Sequence, residues 1–224
     1  MFGLFWNIFS KFAVDKLPKK NTMPEPLKQK FYIDISKWNG VIDFAKVKTN
    51  EPLIDGVIIR ATNGLNKTDE KFLANAKGCI DNNIAWGAYH FAQFTQDAAH
   101  QALKFLVTIQ KAGGKPTLPL VLDVETNEKT LPINAAQLEK FCIDFLTVIE
   151  TNTCGYDIAI YMSPGFSWFF PKNHKLGKYK LWAADYTGNI NPVNGWKKVW
   201  LHQYSDKGKV SGIGTNVDLN RTIV

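Results

Sequence analysis

Cysteine is scarce: three residues, at 79, 142 and 154, in 224. An odd number at wide spacing supports neither a disulfide framework nor a zinc site. Cys79 and Cys142 lie among apolar residues of helical segments and read as buried thiols, and one bridge to Cys154 stays open. No apolar run approaches the roughly 20 residues that a membrane-spanning helix needs. HExxH, GxSxG, a P-loop and a Cys/His cluster are all missing, and no G-x-G-x-x-G follows an early strand. That removes the commonest metalloprotease, serine-hydrolase, nucleotide and dinucleotide readings. Internal repeats and low-complexity tracts are also lacking. Charge of one sign is only mildly in excess, at +7. Residues 1–30 carry six Lys against Asp15 and Glu25, leaving 21 basic against 18 acidic residues in the remainder. A nucleic-acid partner would want a clustered basic stripe, and there is none. A weakly basic surface also suits an anionic polymer such as a cell wall, or a membrane face.

What the chain has in quantity is aromatic residues: 13%, with 7 Trp, in a chain that is 45% hydrophobic and 21% charged. These proportions fit a folded globular protein with a large core or a ligand groove. Residues 1–14 (MFGLFWNIFSKFAV) place Phe2, Phe5, Trp6, Phe9 and Phe12 on one helical face, a pattern suited to contact with a membrane surface. An atypical signal or a docked helix would look the same. Residues 15–30, with three Pro and five Lys, read as a linker. The catalytic unit is expected over 31–224.

Within it, eight apolar runs read as strands: 31–36, 56–62, 85–91, 118–125, 157–162, 180–185, 199–204 and 216–219. Helical periodicity fills three gaps. Residues 69–83 align Phe72, Leu73, Ala76 and Ile80; residues 97–112 align Ala99, Ala102, Leu103, Leu106 and Ile109. Residues 135–151 align Leu138, Phe141, Cys142, Phe145 and Ile149, behind a capping box from Asn134 and Gln137. The stretches 163–179 and 186–198 show little helical signal. This β-α rhythm predicts an α/β fold, a parallel TIM-like (β/α) barrel in an irregular version.

In such barrels the site lies at the C-terminal ends of the strands. Carboxylates recur there: Asp34, Asp123, Glu125 and Asp218. Burying an unpaired charge is costly, so four acids at strand ends call for a function. Asp123 and Glu125 alternate and therefore project to one side, with Cα atoms roughly 6–7 Å apart at about 3.3 Å per residue. Two carboxylates this close push one pKa up, which suits acid-assisted glycoside cleavage. A divalent-metal site and a structural pair remain competitors. Trp38, Tyr89, Phe91, Tyr161, Trp182, Tyr186 and Tyr204 fall at or after strand ends, where flat rings with polar tips suit sugars or a barrel core. Phe91 leans to the core. His90 points away if Tyr89 points in, and reads as a satisfied structural histidine. Arg60 ends the second strand and suits an ion pair at the mouth. Trp168, Phe169 and Phe170 make either a rim or a loop core.

Eight segments in order resemble glycoside hydrolase family 25, the N-acetylmuramidase lysozymes. They are YIDISKWNG (32–40), VIIRAT-G (57–64), DEKFLAN (69–75), GAYHF (87–91), LPLVLDVE (118–125), IYMS (160–163), LWAADY (181–186) and HQYSDKGKVSGIGTNVDLN (202–220). The resemblance implies a distorted barrel that hydrolyses the β-1,4 bond between N-acetylmuramic acid and N-acetylglucosamine in peptidoglycan, without cofactor or metal. It implies Glu125 as general acid/base, Asp123 as its partner at the 2-acetamido group, and Asp34 and Asp218 as further acids of the groove. It also implies Tyr89, Tyr161, Trp182 and Gln203 as sugar contacts. The expected partner is a peptidoglycan strand rather than nucleic acid, and the default state is a monomer. The place of action is extracytoplasmic, or release at lysis from a phage. A non-catalytic glycan-binding barrel, or a hydrolase of another N-acetylglucosamine polymer, are the alternatives. The chitinase run D-x-x-D-x-D-x-E is absent, since 118–125 reads LPLVLDVE.

Overall fold

A computed structural model describes residues 28–125 and 132–223. Most of the expected N-terminal segment, residues 1–27, lies outside the described residues. The described residues hold nine strands: β1 (Phe31–Ile35), β2 (Gly56–Asn63), β3 (Lys67–Thr68), β4 (Trp86–Phe91), β5 (Leu120–Asp123), β6 (Ile158–Met162), β7 (Lys180–Ala184), β8 (Leu201–Gly208) and β9 (Val217–Thr222). They join in the order β1-β9-β8-β7-β6-β5-β4-β2-β3, and a β1–β2 pairing closes all but β3 into a barrel. The short β3 is a hairpin partner on the outer end of β2.

The barrel is α/β and irregular, but it is not all parallel. Strand β9 pairs antiparallel with both β8 and β1. Residues 209–216, which join β8 to β9, are fewer than the dozen or more that a parallel crossover requires. This correction matters for the site. Asp218 stands near the start of β9, and only the reversed direction brings it opposite Asp34 at the mouth.

Helices α1 (Phe44–Lys48), α2 (Phe72–Asp81), α3 (Ala98–Gln110), α4 (Ala135–Asn152) and α5 (Pro164–Ser167) accompany the strands. The capping box of α4 forms as expected: Asn134 Oδ1 accepts from the Gln137 amide at 3.0 Å, and Gln137 Oε1 from the Asn134 amide at 2.9 Å. All five predicted core residues of α4 are buried. The other two helices are rotated from expectation. Leu73, Ile80 and Leu103 are exposed, while Asn75 and Cys79 on α2 and Gln101 and Phe105 on α3 face inward. Late in the chain only short α5 and a 3-10 turn at Lys175–Lys178 form, and 186–198 is a loop.

Strand alternation creates two cores. Outward residues such as Ile33, Ile59, Leu122, Ile160 and Leu181 pack under the helices with Phe72, Phe105 and Phe145. Inward residues Tyr32, Ile58, Val121, Ala159, Trp182 and Leu201 fill the barrel. Each fully buried large side chain contributes about 1.5–3 kcal/mol of transfer free energy. The three thiols are free, Cys79 and Cys142 buried and Cys154 exposed. No bridge to Cys154 forms. Burial pushes the Cys79 thiol up to about 12.

Candidate active site

Two residues further along five of the strands, the inward positions change character. Tyr32 is followed by Asp34, Ile58 by Arg60, Val121 by Asp123, Ala159 by Tyr161 and Leu201 by Gln203. One step of the strand period thus separates an apolar plug from a polar mouth. A small cavity of about 70 Å³ opens in that polar layer. Its walls are the eight residues singled out in the sequence. Asp34, Asp123, Glu125 and Asp218 supply the carboxylates, and Tyr89, Tyr161, Trp182 and Gln203 the remainder.

Hydrogen bonds fix most of this wall. Asp34 Oδ2 accepts from Gln203 Nε2 at 2.9 Å and from Asn220 Nδ2 at 2.8 Å. Gln203 Oε1 accepts from the hydroxyls of Tyr161 at 2.9 Å and Tyr186 at 2.8 Å. Asn220 Oδ1 accepts from the Trp182 indole at 2.7 Å. Both amides therefore have one orientation that satisfies every neighbour, nitrogen to Asp34 and oxygen to the ring donors. The Tyr161 and Trp182 rings meet edge to face, with centroids 4.7 Å apart. Asp123 differs from these. It is 5% exposed, and its Oδ1 is buried with no hydrogen-bond partner. A buried carboxylate oxygen without a donor is costly, and Asp123 is one of the residues that line the cavity.

The four acids perturb one another. Burial pushes Asp34 well above the usual carboxylate range, and Asp218 opposite adds to it, against the donors Asn220 and Gln203. Asp123 is raised chiefly by burial, then by Glu125 and Asp34, with Arg60 pulling the other way. Glu125 is raised by burial and by Asp218. Asp218 is itself raised, mainly by burial. All four are thus shifted in the same direction, and each disfavours ionisation of its neighbours. Among the described residues, no group of three or more His, Cys, Asp or Glu side chains is arranged to hold a metal ion.

The other singled-out residues fall as follows. Arg60 forms its ion pair at the mouth, with Nε and Nη2 both 2.9 Å from Asp69 Oδ2. His90 turns away from the cavity, Nδ1 meeting Thr62 Oγ1 at 2.7 Å and Nε2 meeting Gln101 Oε1 at 2.8 Å. Burial lowers its pKa to about 4, which keeps it neutral. Trp38 is 73% exposed, and Tyr186 holds the rim through its hydroxyl. Phe91 and Tyr204 do not line the cavity, and Tyr204 stacks under the Arg221 guanidinium at 4.8 Å. Of the late aromatic run, Trp168 and Phe169 are exposed and Phe170 is buried.

Comparison with known proteins agrees with this architecture. Residues 33–213 match the family model described as Glycosyl hydrolases family 25. The chain belongs to glycosyl hydrolase family 25. It is therefore a glycoside hydrolase. Among curated relatives, the uncharacterized protein YegX of Escherichia coli K12 is 31% identical over 195 residues, covering 84% of this chain and 67% of that one. Lysozyme M1 of Streptomyces globisporus is 29% identical over 203 residues, covering 84% and 66%. Among solved structures, the lysozyme from Streptomyces coelicolor superposes with a TM-score of 0.78 at 28% identity, covering 87% of this chain and 92% of that one. The Clostridium perfringens spore cortex lytic enzyme SleM gives 0.76 at 30%, covering 87% and 67%.

Sequence reasoning missed two residues that build this family 25 site. Asn220 bridges Asp34 and Trp182. Asp69 anchors Arg60 and accepts the backbone amides of Lys37 and Lys71 at 3.0 Å each. Asn220 was findable, because it lies two residues beyond Asp218 and so shares its inward side. Asp69 sits before α2 and carries no strand signal.

Proposed function

We propose that this family 25 enzyme is a muramidase, cutting the β-1,4 bond between N-acetylmuramic acid and N-acetylglucosamine in peptidoglycan. The catalytic unit is residues 31–224, with 1–30 as a separate segment. One observation carries the reading: Asp123, which has a buried oxygen without a hydrogen-bond partner, lines a small cavity together with Glu125, whose pKa is raised by burial and by Asp218. The cavity has room for about two waters at about 30 Å³ each. That suits a substituent such as an acetamido group. Its N–H supplies the donor that Asp123 Oδ1 lacks. The names of the relatives point the same way, since two are lysozymes and the autolysin LytC of Streptococcus pneumoniae was solved with a synthetic peptidoglycan ligand.

The steps follow from the residues. Glu125 gives its proton to the glycosidic oxygen as the bond to the anomeric carbon breaks. The substrate's acetamido oxygen closes on that carbon from the opposite face. Asp123 stabilises the charge that develops on the N–H. Glu125, now ionised, takes a proton from the water that reopens the ring, and configuration is retained. Asp123 and Glu125 rise from one strand end, so a direct double displacement by this pair is awkward. Asp34 and Asp218 hold the neighbouring negative potential, while Tyr89, Tyr161, Trp182 and Gln203 shape the sugar contact. No cofactor enters these steps, the enzyme works as a monomer, and its place of action is outside the cytoplasmic membrane or at lysis.

The test is digestion of purified peptidoglycan by the wild type and by Glu125→Gln, with mass spectrometry of the released ends. New reducing muramic-acid ends from the wild type alone support the reading. Equal release by both removes Glu125 from its role. Cleavage of chitin oligomers instead would reassign the substrate, and no release by a folded wild type would leave a glycan-binding barrel.

A further inference from the structure

A large groove lies away from the mouth. It lies at the opposite end of the barrel, where β7 and β8 begin, and encloses about 610 Å³. Its walls combine Lys178, Lys180, Lys197 and Lys198 with the rings of Trp196 and Trp200. A second groove, of about 440 Å³, lies across the ridge Trp196–Val199 and adds Ile190, Val193 and the exposed Ile223. Lys178 and Lys180 pair with Glu150 and Asp157. Lys197 and Lys198 are exposed and have no ion-pair partner among the described residues. The Lys180 ammonium also sits 5.9 Å from the Trp200 ring.

The chain enters at this same end. The Lys30 amide donates to Thr222 Oγ1 at 2.9 Å, and the Thr222 amide to the Lys30 carbonyl at 2.9 Å, next to Ile223. Lys30 and Ile223, which lines the second groove, are therefore close together at this end, and 27 residues precede Lys28 in the sequence. Their sequence holds the aromatic-rich MFGLFWNIFSKFAV and four lysines, at 11, 16, 19 and 20.

We infer that this rear end binds the surface of an anionic lipid bilayer, with the catalytic mouth pointing away from it. Exposed lysines meet anionic headgroups within a Debye length of the surface. Tryptophan rings suit the headgroup level, where one edge is wet and one face apolar. Neither the basic grooves nor the apolar N-terminal sequence is a strong anchor alone, and stable attachment takes two such signals. This chain carries both. The surface is independent of the muramidase reading, since none of its residues lines the catalytic cavity.

The experiment is cosedimentation of the full chain with phosphatidylcholine vesicles, with and without phosphatidylglycerol. Lys197→Glu/Lys198→Glu is compared with Lys77→Glu/Lys140→Glu, an equal charge change on the outer helices. The wild type should pellet with the anionic vesicles only, less so at high salt. The rear variant should bind at least roughly ten-fold more weakly, from about 1 kcal/mol per lysine near such a surface. The helix variant should bind within about two-fold of wild type. Unchanged circular dichroism and thermal midpoint in both variants show that they are folded. Equal vesicle binding by the rear variant and the wild type overturns the inference. So does a wild type that ignores vesicles, and retention by a soluble polyanion in that case would assign the grooves to a wall polymer.

Discussion

The two ends of this barrel are built from the same strands and behave as opposites. At the rear, inward residues are apolar and close the barrel: Tyr32, Ile58, Val121, Ala159 and Leu201. A Cβ added at Gly87 there would lie 2.7 Å from the Pro119 carbonyl oxygen and 2.9 Å from Leu118 Cβ, so no extra atom fits. At the mouth the same strands bury carboxylates, one with an oxygen that no donor reaches. The rear gains stability from what it buries, and the mouth gives some up. The teaching is that a single step of the strand period divides stability from chemistry. Substitutions two residues apart should therefore have opposite signatures.

The largest expected effect is at the mouth. Glu125→Gln removes the transferable proton and should lower kcat by about 10²–10⁴-fold, the usual contribution of a positioned acid. Binding of peptidoglycan and thermal stability should persist, as read by cosedimentation and calorimetry. Asp123→Asn should also cost activity, yet raise the thermal midpoint at pH 7 by an amount equivalent to about 1 kcal/mol. The sign follows from its raised pKa. Such a group favours folding fully below the unfolded value of about 3.9 and loses that contribution as pH rises through the folded value. The gap between Asp123→Asn and wild type should close as pH falls toward 4. A midpoint below wild type at pH 7 would break the comparison.

At the rear the signature reverses. Gly87→Ala should destabilise by about 1–3 kcal/mol through overpacking, in denaturant titrations, while the kcat of the folded fraction stays at wild type. A smaller effect sharpens the contrast on the late loop. Asp185 is another buried acid near the mouth, but its carboxylate accepts from Thr187 and Asn191 at four donors. Burial would raise its pKa, and these bonds outweigh it and hold it at about 2. Its contribution to stability is present above the unfolded value and is lost as pH falls through about 2. Asp185→Ala should cost about 2 kcal/mol at pH 7, with little change in the chemical step.

Much of this was legible in the sequence, for a physical reason. Period-two alternation plus acids at C-terminal strand ends located Asp34, Asp123 and Glu125 in one cavity without coordinates, whereas Asp218 reaches it from the start of a strand that runs the other way. Helix α4 was legible down to its cap, because Asn134 and Gln137 are local signals. Direction was not legible, because a four-residue run such as NVDL reads alike either way, and only the pairing with β1 and β8 reveals β9 as antiparallel. Helix faces were partly illegible. Leu73, Ile80 and Leu103 fit an apolar stripe, but the buried stripe admits Asn75 and Gln101 instead. Gln101 earns its place by bonding His90 and the backbone of Gln93 and Gln96, a tertiary arrangement with no local trace.

The central claim is that burial and the neighbouring acids at the mouth raise the pKa of Glu125 and so fit it to act as the acid. The most direct test is the pH dependence of kcat/KM on peptidoglycan for the wild type and Asp218→Asn, beside the titration of Glu125 by carbon NMR. Burial raises Glu125 first and the Asp218 charge second. The alkaline limb should therefore lie above the ordinary glutamate value of about 4.3, coincide with the Glu125 titration, and move to lower pH in Asp218→Asn. A limb that ignores the Asp218 charge, or that does not follow the Glu125 titration, would contradict the account.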